Sequence, residues 1–454
     1  MHHKSLFSIN NKVQYLEYFV VFILIFYAGK ANKFVGAIDS WEDPVGLMLP
    51  IVSVAALAIV RGVQLNYKYW LFIIGFSFYF LASTIKFSEL HPRFFLIIII
   101  NFTIAYIIVS GLRYRFFRLY EEIIFYLCLV ALAFWTMINL FPSFFIEFLR
   151  NFEFSNQGDG GGNVDFNTII FTVNDYVTTP DRIINIGGTS LYRNAGFAWE
   201  PGAFAIYINI AIFFNLMRNK FTIKNNKHLW VFIPALATTF STTGYSIFIL
   251  LILFYLFNKN ALKITLLIPF TTFITIIIFT LPFMMNKVID NLEYDTETML
   301  YNSAKYDNHY SPQRFQSLQI DVIDFLNNPL IGYGGHEEER WTNQLGAKIS
   351  TASGIGEIMA QYGIAGIIFV LISLWKSSGK YMLLYDIKGR FFPFIMILFI
   401  SVSYSIMTSF FMCIWLLHLT DMHKTKIVSN AMLKRIEMIN PVRLGLNQIK
   451  NLKR

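Results

Sequence analysis

Two stretches of this 454-residue chain combine residue types that can hold an anion and move a proton. The first reads Tyr192-Arg193-Asn194-Ala195-Gly196-Phe197-Ala198-Trp199-Glu200-Pro201-Gly202. Pro201 suits the first turn of a following helix, where its missing N–H costs nothing. Glu200 then stands at the helix N-terminus, where a carboxylate interacts favourably with the helix dipole. Arg193, seven residues earlier, falls in the loop above that helix start. Two readings follow: a helix cap with an arginine nearby, or a phosphate-binding guanidinium beside a proton-accepting carboxylate.

The second stretch opens Ser311-Pro312-Gln313-Arg314-Phe315 and continues into an amphipathic segment with Leu318, Ile320, Val322, Ile323, Phe325 and Leu326. It then reads Asn327-Asn328-Pro329-Leu330-Ile331-Gly332-Tyr333-Gly334-Gly335-His336. Glycines at 332, 334 and 335 let a backbone approach a ligand closely or line an anion-binding nest. They serve equally as a turn after a surface helix. No Lys-Ser/Thr follows, so this is not a nucleotide P-loop. His336 is a further proton acceptor, and Glu337-Glu338-Glu339 after it reads as a solvated acidic face. No metal centre is expected, because the external loops contain no His-x-x-x-His, no cysteine pair and no Asp-x-Asp.

The elements that must position these residues are membrane helices. The chain is 55% hydrophobic and 18% aromatic, with 14% charged residues and a mean hydropathy of +0.51. A soluble domain has about 25% charged residues, and a disordered chain would lack the apolar content. The net charge is +9, but the basic residues are scattered between apolar runs, which excludes a nucleic-acid-binding face and fits membrane topology. Cys128 and Cys413 both fall inside apolar runs and read as small core residues.

Runs close to the roughly 20 residues that cross a bilayer occupy 15–29, 44–60, 67–85, 94–110, 120–141, 200–217, 261–285 and 352–375. The first is expected to stay as a signal anchor. The stretches 228–257 and 391–418 are too long for one helix, and basic residues flank both on each side. Because short cytoplasmic loops collect Lys and Arg, each is expected to be a hairpin. The breaks fall at Ser241-Thr242-Thr243-Gly244 and near residues 401–405. The expected architecture is all-α: a single polytopic transmembrane domain over 1–454 of about twelve helices, with both termini inside. Two large external loops, 142–199 and 286–351, are net acidic, and a basic cytoplasmic tail occupies 419–454. The ionisable residues in the runs, mainly Glu17, Glu121, Glu122, Glu200 and Glu357, lie near run ends. A proton-coupled pump would place them at mid-depth, so the pattern favours chemistry at the outer membrane boundary over transport.

The chain resembles the bacterial O-antigen polymerases (the Wzy family), within the wider polymerase and O-antigen-ligase group. The resemblance rests, in order, on Arg193 to Pro201, Phe240-Ser241-Thr242-Thr243-Gly244-Tyr245, Arg314 with Asn328 to Gly334, and Gly363-Ile364-Ala365-Gly366. These cover about residues 190–370; the first half matches in hydropathy and loop spacing alone. Ligases of the group carry a His-Asn pair just before the Gly-x-x-Gly span, where this chain has Ala352-Ser353, with Glu357 and Gly363 still matching. That departure tilts the resemblance toward polymerase.

The resemblance implies a periplasmic reaction at the bacterial inner membrane. A glycan on undecaprenyl diphosphate moves to the terminal sugar of another lipid-linked repeat, without metal or other cofactor. Expected partners are the lipid-linked oligosaccharide, membrane lipids and a chain-length regulator protein, and no nucleic acid. Charge on the departing diphosphate must be neutralised and the acceptor hydroxyl must lose its proton. Arg193 and Arg314 are the candidates for the first task; Glu200, then His336, for the second. Asn194, Tyr333, Gly334 and Gly335 are the candidate substrate-binding positions. Two alternatives stay open: a ligase or other lipid-linked-sugar glycosyltransferase, in which Asp39, Glu42 and Asp43 of the first external loop would act, and a polysaccharide flippase or transporter.

Overall fold

Long apolar runs with little charge satisfy their backbone internally as helices, and this sequence builds helices almost throughout. In a computed structural model these are α1 (His3–Ala28), α2 (Pro44–Arg61), α3 (Tyr67–Phe87), α4 (Pro92–Leu112), α5 (Arg115–Leu140) and the short α6 (Pro142–Arg150). After the first large loop come α7 (Pro201–Arg218), α8 (Leu229–Thr238) and α9 (Thr242–Lys259), then α10 (Arg314–Asn327), α11 (Trp341–Gln344), α12 (Gly354–Tyr385), α13 (Phe391–Ser403) and α14 (Ser409–Trp415). The structure describes residues 3–29, 44–152, 166–168, 170–173, 183–186, 189–259, 297, 301, 312, 314–347, 349, 351 and 353–420. They lie in one compact unit, Met1–Thr420. The expected span 261–285, the acidic residues 39–43, much of both large loops and the tail beyond 420 lie outside the described residues.

Among the described residues six helices are long and apolar enough to cross a membrane: α3, α4, α5, α7, α9 and α12. Shorter apolar helices span Val13–Ala28, Met48–Arg61, Leu229–Thr238 and Phe391–Ser403. The only strands among the described residues form two small antiparallel hairpins in the first large loop. Phe166–Asn167 (β1) pairs with Thr172–Val173 (β2), and Ile183–Ile186 (β3) with Thr189–Tyr192 (β4), in the register Ile183↔Tyr192.

Both long stretches fold back on themselves. Ser241 lies against Gly202, Ala205 against Gly244, and Phe254 packs on Phe213, so α9 runs in the same direction as α7. In α8 the order is reversed: His228 sits beside Glu121 at one end and the Thr238 carbonyl accepts from Asn194 at the other. The turn occupies residues 239–241, at the leading edge of the expected break. With 10 residues, α8 is about 15 Å long, half a hydrocarbon thickness. In the second stretch α13 climbs antiparallel to α12, with Trp375 on Phe394 and Gly354 against Tyr404. The chain then turns through 404–408, and α14 returns so that Tyr381 donates to the Ile414 carbonyl at 2.8 Å.

At one end of the bundle, basic side chains neutralise buried carboxylates. Glu17, fully buried, pairs with Arg61 and with Arg115 at 2.6 Å. Glu121 accepts from Arg218 at 2.8 and 2.6 Å and from Asn215 at 2.6 Å. A buried carboxylate persists only when paired in this way. These clusters tie α1, α2, α5 and α7 together at the end opposite the large loops.

Candidate functional site

Arg314 begins α10 and Glu200 immediately precedes α7, yet folding joins them. The Arg314 Nη2 donates to Glu200 Oε1 at 2.7 Å, Arg314 Nη1 donates to the Ser403 carbonyl, and the Tyr404 hydroxyl donates to the same Glu200 oxygen. The guanidinium carbon stands 4.4 Å from the centre of the Tyr404 ring, a cation–π contact. The end of α13 and the turn after it thus supply a carbonyl and an aromatic face to the arginine, and a hydroxyl to its carboxylate partner. Gly202 is needed for this closure, since a Cβ there would meet the Tyr404 hydroxyl at 2.5 Å. Burial works to lower the Arg314 pKa, but Glu200 and Tyr404 raise it above the ordinary guanidinium value, so the charge is permanent.

Arg314 and Tyr404 form part of the wall of a cavity of about 690 Å³ between α4, α7, α12 and the α13–α14 turn. The same wall carries Arg93 and His91 from the start of α4, Glu337 and Glu338, and Glu357 from the first turn of α12. Two guanidinium groups can receive an anion in this half-polar space, and three carboxylates, Glu337, Glu338 and Glu357, are available to accept a proton. The cavity abuts a second, largely apolar one of about 1110 Å³, which runs between α3 and α12. Ile98, Tyr362 and Met407 belong to both walls.

The other expected residues are placed differently. Arg193 donates from Nε to the Thr239 carbonyl at 3.1 Å and from Nη2 to the Phe240 carbonyl at 2.9 Å. These carbonyls lie where the α8–α9 turn leaves the helical ladder, and Arg193 is not on the cavity wall. Glu200 is behind the wall as well, holding Arg314. Asn194 is fully buried. Its backbone N–H and side-chain NH₂ donate to Thr238, and its Oδ1 accepts from Gly196 N at 3.0 Å. Its amide is therefore committed to joining the loop to α8.

The glycine-rich segment meets backbone instead of an anion. Within α12, Gly363 has φ 62° and ψ −159°, which breaks the helix into two halves and strips carbonyls of their partners. Tyr333 N donates to the Ala360 carbonyl and Gly334 N to the Gln361 carbonyl, both at 2.9 Å, while Ile364 N donates to the Pro329 carbonyl at 2.8 Å. A Cβ on Gly332 would come within 2.4 Å of the Ala360 carbonyl, and one on Gly334 within 2.0 Å of Ser83 Oγ. The segment is a strap over the kink. Of its glycines, Gly335 touches the cavity wall and lies against Phe94. His336 is 2% exposed and sits between Phe87 and His91, off the wall.

Sequence reading did not find the cluster beneath the strap. Arg340 donates to Asp324 at 3.1 Å, to Asp321 at 3.2 Å and to Thr351 at 3.1 Å, and Trp341 N donates to Asp324 at 2.7 Å. Burial raises the Asp321 pKa to about 8, against the opposing pull of Arg340. The available signal was the three-residue spacing of Asp321 and Asp324, which places both on one helix face. The cluster fixes α10, and with it Arg314, against the first turn of α12. Tyr404, Arg93 and Glu357 were also not assigned roles; each is a single polar residue in a separate segment. Comparison with protein-family models, with curated proteins and with solved structures finds no match to this chain.

Proposed function

We propose that this protein polymerises lipid-linked surface-polysaccharide repeat units of the O-antigen type at the periplasmic face of the bacterial inner membrane. In this reading the chain crosses the membrane about twelve times, with the cavity opening outward. The glycan's anomeric C–O bond to undecaprenyl diphosphate breaks, and a new bond forms to a hydroxyl of the acceptor repeat. The acceptor's proton passes to a carboxylate and undecaprenyl diphosphate departs.

The observation that carries this reading is Arg314, a permanently charged guanidinium held on the wall of the polar cavity by Glu200, Ser403 and Tyr404. A planar fork suits diphosphate oxygens. Arg93 is the second cation of the site, and Glu357 the carboxylate that accepts the proton. Glu200 is a positioning residue in this scheme, and Arg193 holds the α8–α9 turn. The adjoining apolar cavity suits the polyprenyl chain of the donor. A chain-length regulator protein is the expected partner. The ordered motifs from Arg193 to Gly366 support the same reading.

The test is complementation of a polymerase-null strain, with chain-length distribution normalised to membrane protein level. Wild type should restore a ladder of repeats, and Glu357→Gln should abolish it at normal abundance. Restored attachment of single repeats without a ladder would indicate a ligase. Lipid-linked repeats trapped on the inner leaflet after deletion would indicate a flippase.

A further inference from the structure

The turn between α3 and α4 and the segment following the glycine strap bring four potential metal ligands together. Glu89, His91, His336 and Glu338 each offer one ligand atom, and these atoms lie within 4.8 Å of one another. Glu338 Oε1 is 3.4 Å from His336 Nδ1 and 3.5 Å from His91 Nε2, and Glu89 Oε1 is 3.7 Å from His91 Nε2. An ion bound at 2.0–2.2 Å to four tetrahedral ligands separates them by roughly 3.3–3.6 Å. Two of these three separations fall within that range and the third just above it, and all three are longer than ordinary hydrogen bonds.

A second observation points the same way. His336 Nδ1 and His91 Nε2 are buried atoms without a hydrogen-bond partner, and His336 is 2% exposed. Buried polar atoms are normally satisfied, and an orphan calls for an explanation such as an ion. Two facing orphan nitrogens share one here. The rings meet edge to face at 4.2 Å and 84°, and Phe87 at 4.5 Å covers the other side of His336. The contact of Gly335 with Phe94 holds the backbone that aims His336. Glu337 and Glu339 flank the group, so local charge also favours a cation.

We infer that Glu89, His91, His336 and Glu338 bind a divalent transition-metal ion of the Zn²⁺ kind, clamping the α3–α4 turn to the strap that covers the α12 kink. The ion is structural and stands at the rim of the cavity, whose wall includes His91 and Glu338. No step of the proposed transfer runs through it, and the inference does not depend on the polymerase reading.

The experiment uses the full-length protein in detergent, without an affinity tag of histidines, stripped with chelator and titrated with Zn²⁺ and separately with Co²⁺. Wild type should take up one equivalent of Zn²⁺, gain thermal stability with it, and show the visible absorption of tetrahedral Co²⁺. The double variant His91→Ala/His336→Ala should lose the equivalent, the absorption and the thermal shift. Glu338→Gln should weaken binding by at least about tenfold, since even changes outside the ligand shell cost about 10–100-fold. Absence of uptake by wild type would overturn the inference, as would an unchanged equivalent in the double variant, which would place the ligands elsewhere. Should the double variant fail to fold, Glu338→Gln and Glu89→Gln decide it. Both side chains are more than half exposed, so neither change disturbs packing, and unchanged affinity in both would overturn the site.

Discussion

Arg193 lies in the segment before α7 and Arg314 opens α10, and what they touch separates their roles. Arg314 faces the cavity with its charge held by Glu200 at 2.7 Å, whereas Arg193 is bonded to two carbonyls at a helix break. Arg314→Ala should therefore leave folded protein while reducing polymerisation by roughly 10²–10³, the usual loss when a charge-stabilising donor is removed from a transition state. Arg314→Lys keeps the charge without the fork and should recover part of the rate. Arg193→Ala should instead lower the amount of folded protein, by roughly 1–3 kcal/mol for carbonyls left unsatisfied, and the remainder should polymerise normally. Ladders and membrane abundance measured together distinguish the two, and a normal ladder from Arg314→Ala would remove it from the mechanism. Asp321 carries a different prediction. Its folded pKa of about 8 lies above the ordinary carboxylate value, so the folded state holds a proton that the unfolded state has released. Its contribution to stability is fully present below the ordinary carboxylate range and is lost as pH rises toward and through about 8. Asp321→Asn imitates the protonated acid. Thermal unfolding between pH 5 and pH 9 should be flatter for the variant, by up to about 1.4 kcal/mol per pH unit over the window. Identical pH profiles would show that Asp321 is ionised beside Arg340 throughout.

The element that organises the site is α12 with its kink. Gly363 occupies a backbone region open to glycine alone, and the strap 329–334 supplies donors to the carbonyls the kink releases. A Cβ on Gly363 would fall 2.6 Å from the Leu330 carbonyl carbon and oxygen. Gly363→Ala should cost on the order of 1–3 kcal/mol in backbone strain alone, before the clash. Reduced membrane abundance and lowered thermal stability are expected, with Gly75→Ala as a comparison, at a helical position where a Cβ meets nothing within 4 Å. Equal stability of Gly363→Ala and wild type would mean that the kink is not required. The break at 239–241 and the turn at 404–408 were foreshadowed by small polar residues inside long apolar stretches, because a hairpin needs residues that tolerate a turn at depth. The kink left no comparable mark: one Gly-x-x-Gly in an apolar run reads as ordinary helix packing. Only the strap, some 30 residues earlier in the chain, shows what Gly363 is for.

Across the whole molecule, Glu17 and Glu121 with their basic partners gather at one end, and the cavity with Arg314 at the other. If basic loops face the cytoplasm, the cavity faces the periplasm. Cysteine placed at Asn163 or Asn302 should react with an impermeant thiol reagent in intact spheroplasts, and cysteine at Asn447 should not. Labelling of Asn447→Cys alone would invert the orientation. Cys128 and Cys413 are buried and should contribute no background.

The sequence by itself determined that the chain is largely helical, with helices long and apolar enough to cross a membrane, and where two of its long apolar stretches turn back. Those properties depend on local apolar runs, flanking charge and small polar breaks, all of which are written in consecutive residues. It also singled out Arg314 and Glu200 as chemically promising. Only the tertiary structure decided that these two form one pair, that Arg193 and Asn194 brace a turn, and that the glycine strap closes over Gly363. It alone joined Asp321 and Asp324 to Arg340, and His91 to His336. Each of those contacts joins separate segments of the chain, through side chains or backbone groups. Their meeting depends on how helices pack, and no spacing along the sequence encodes that.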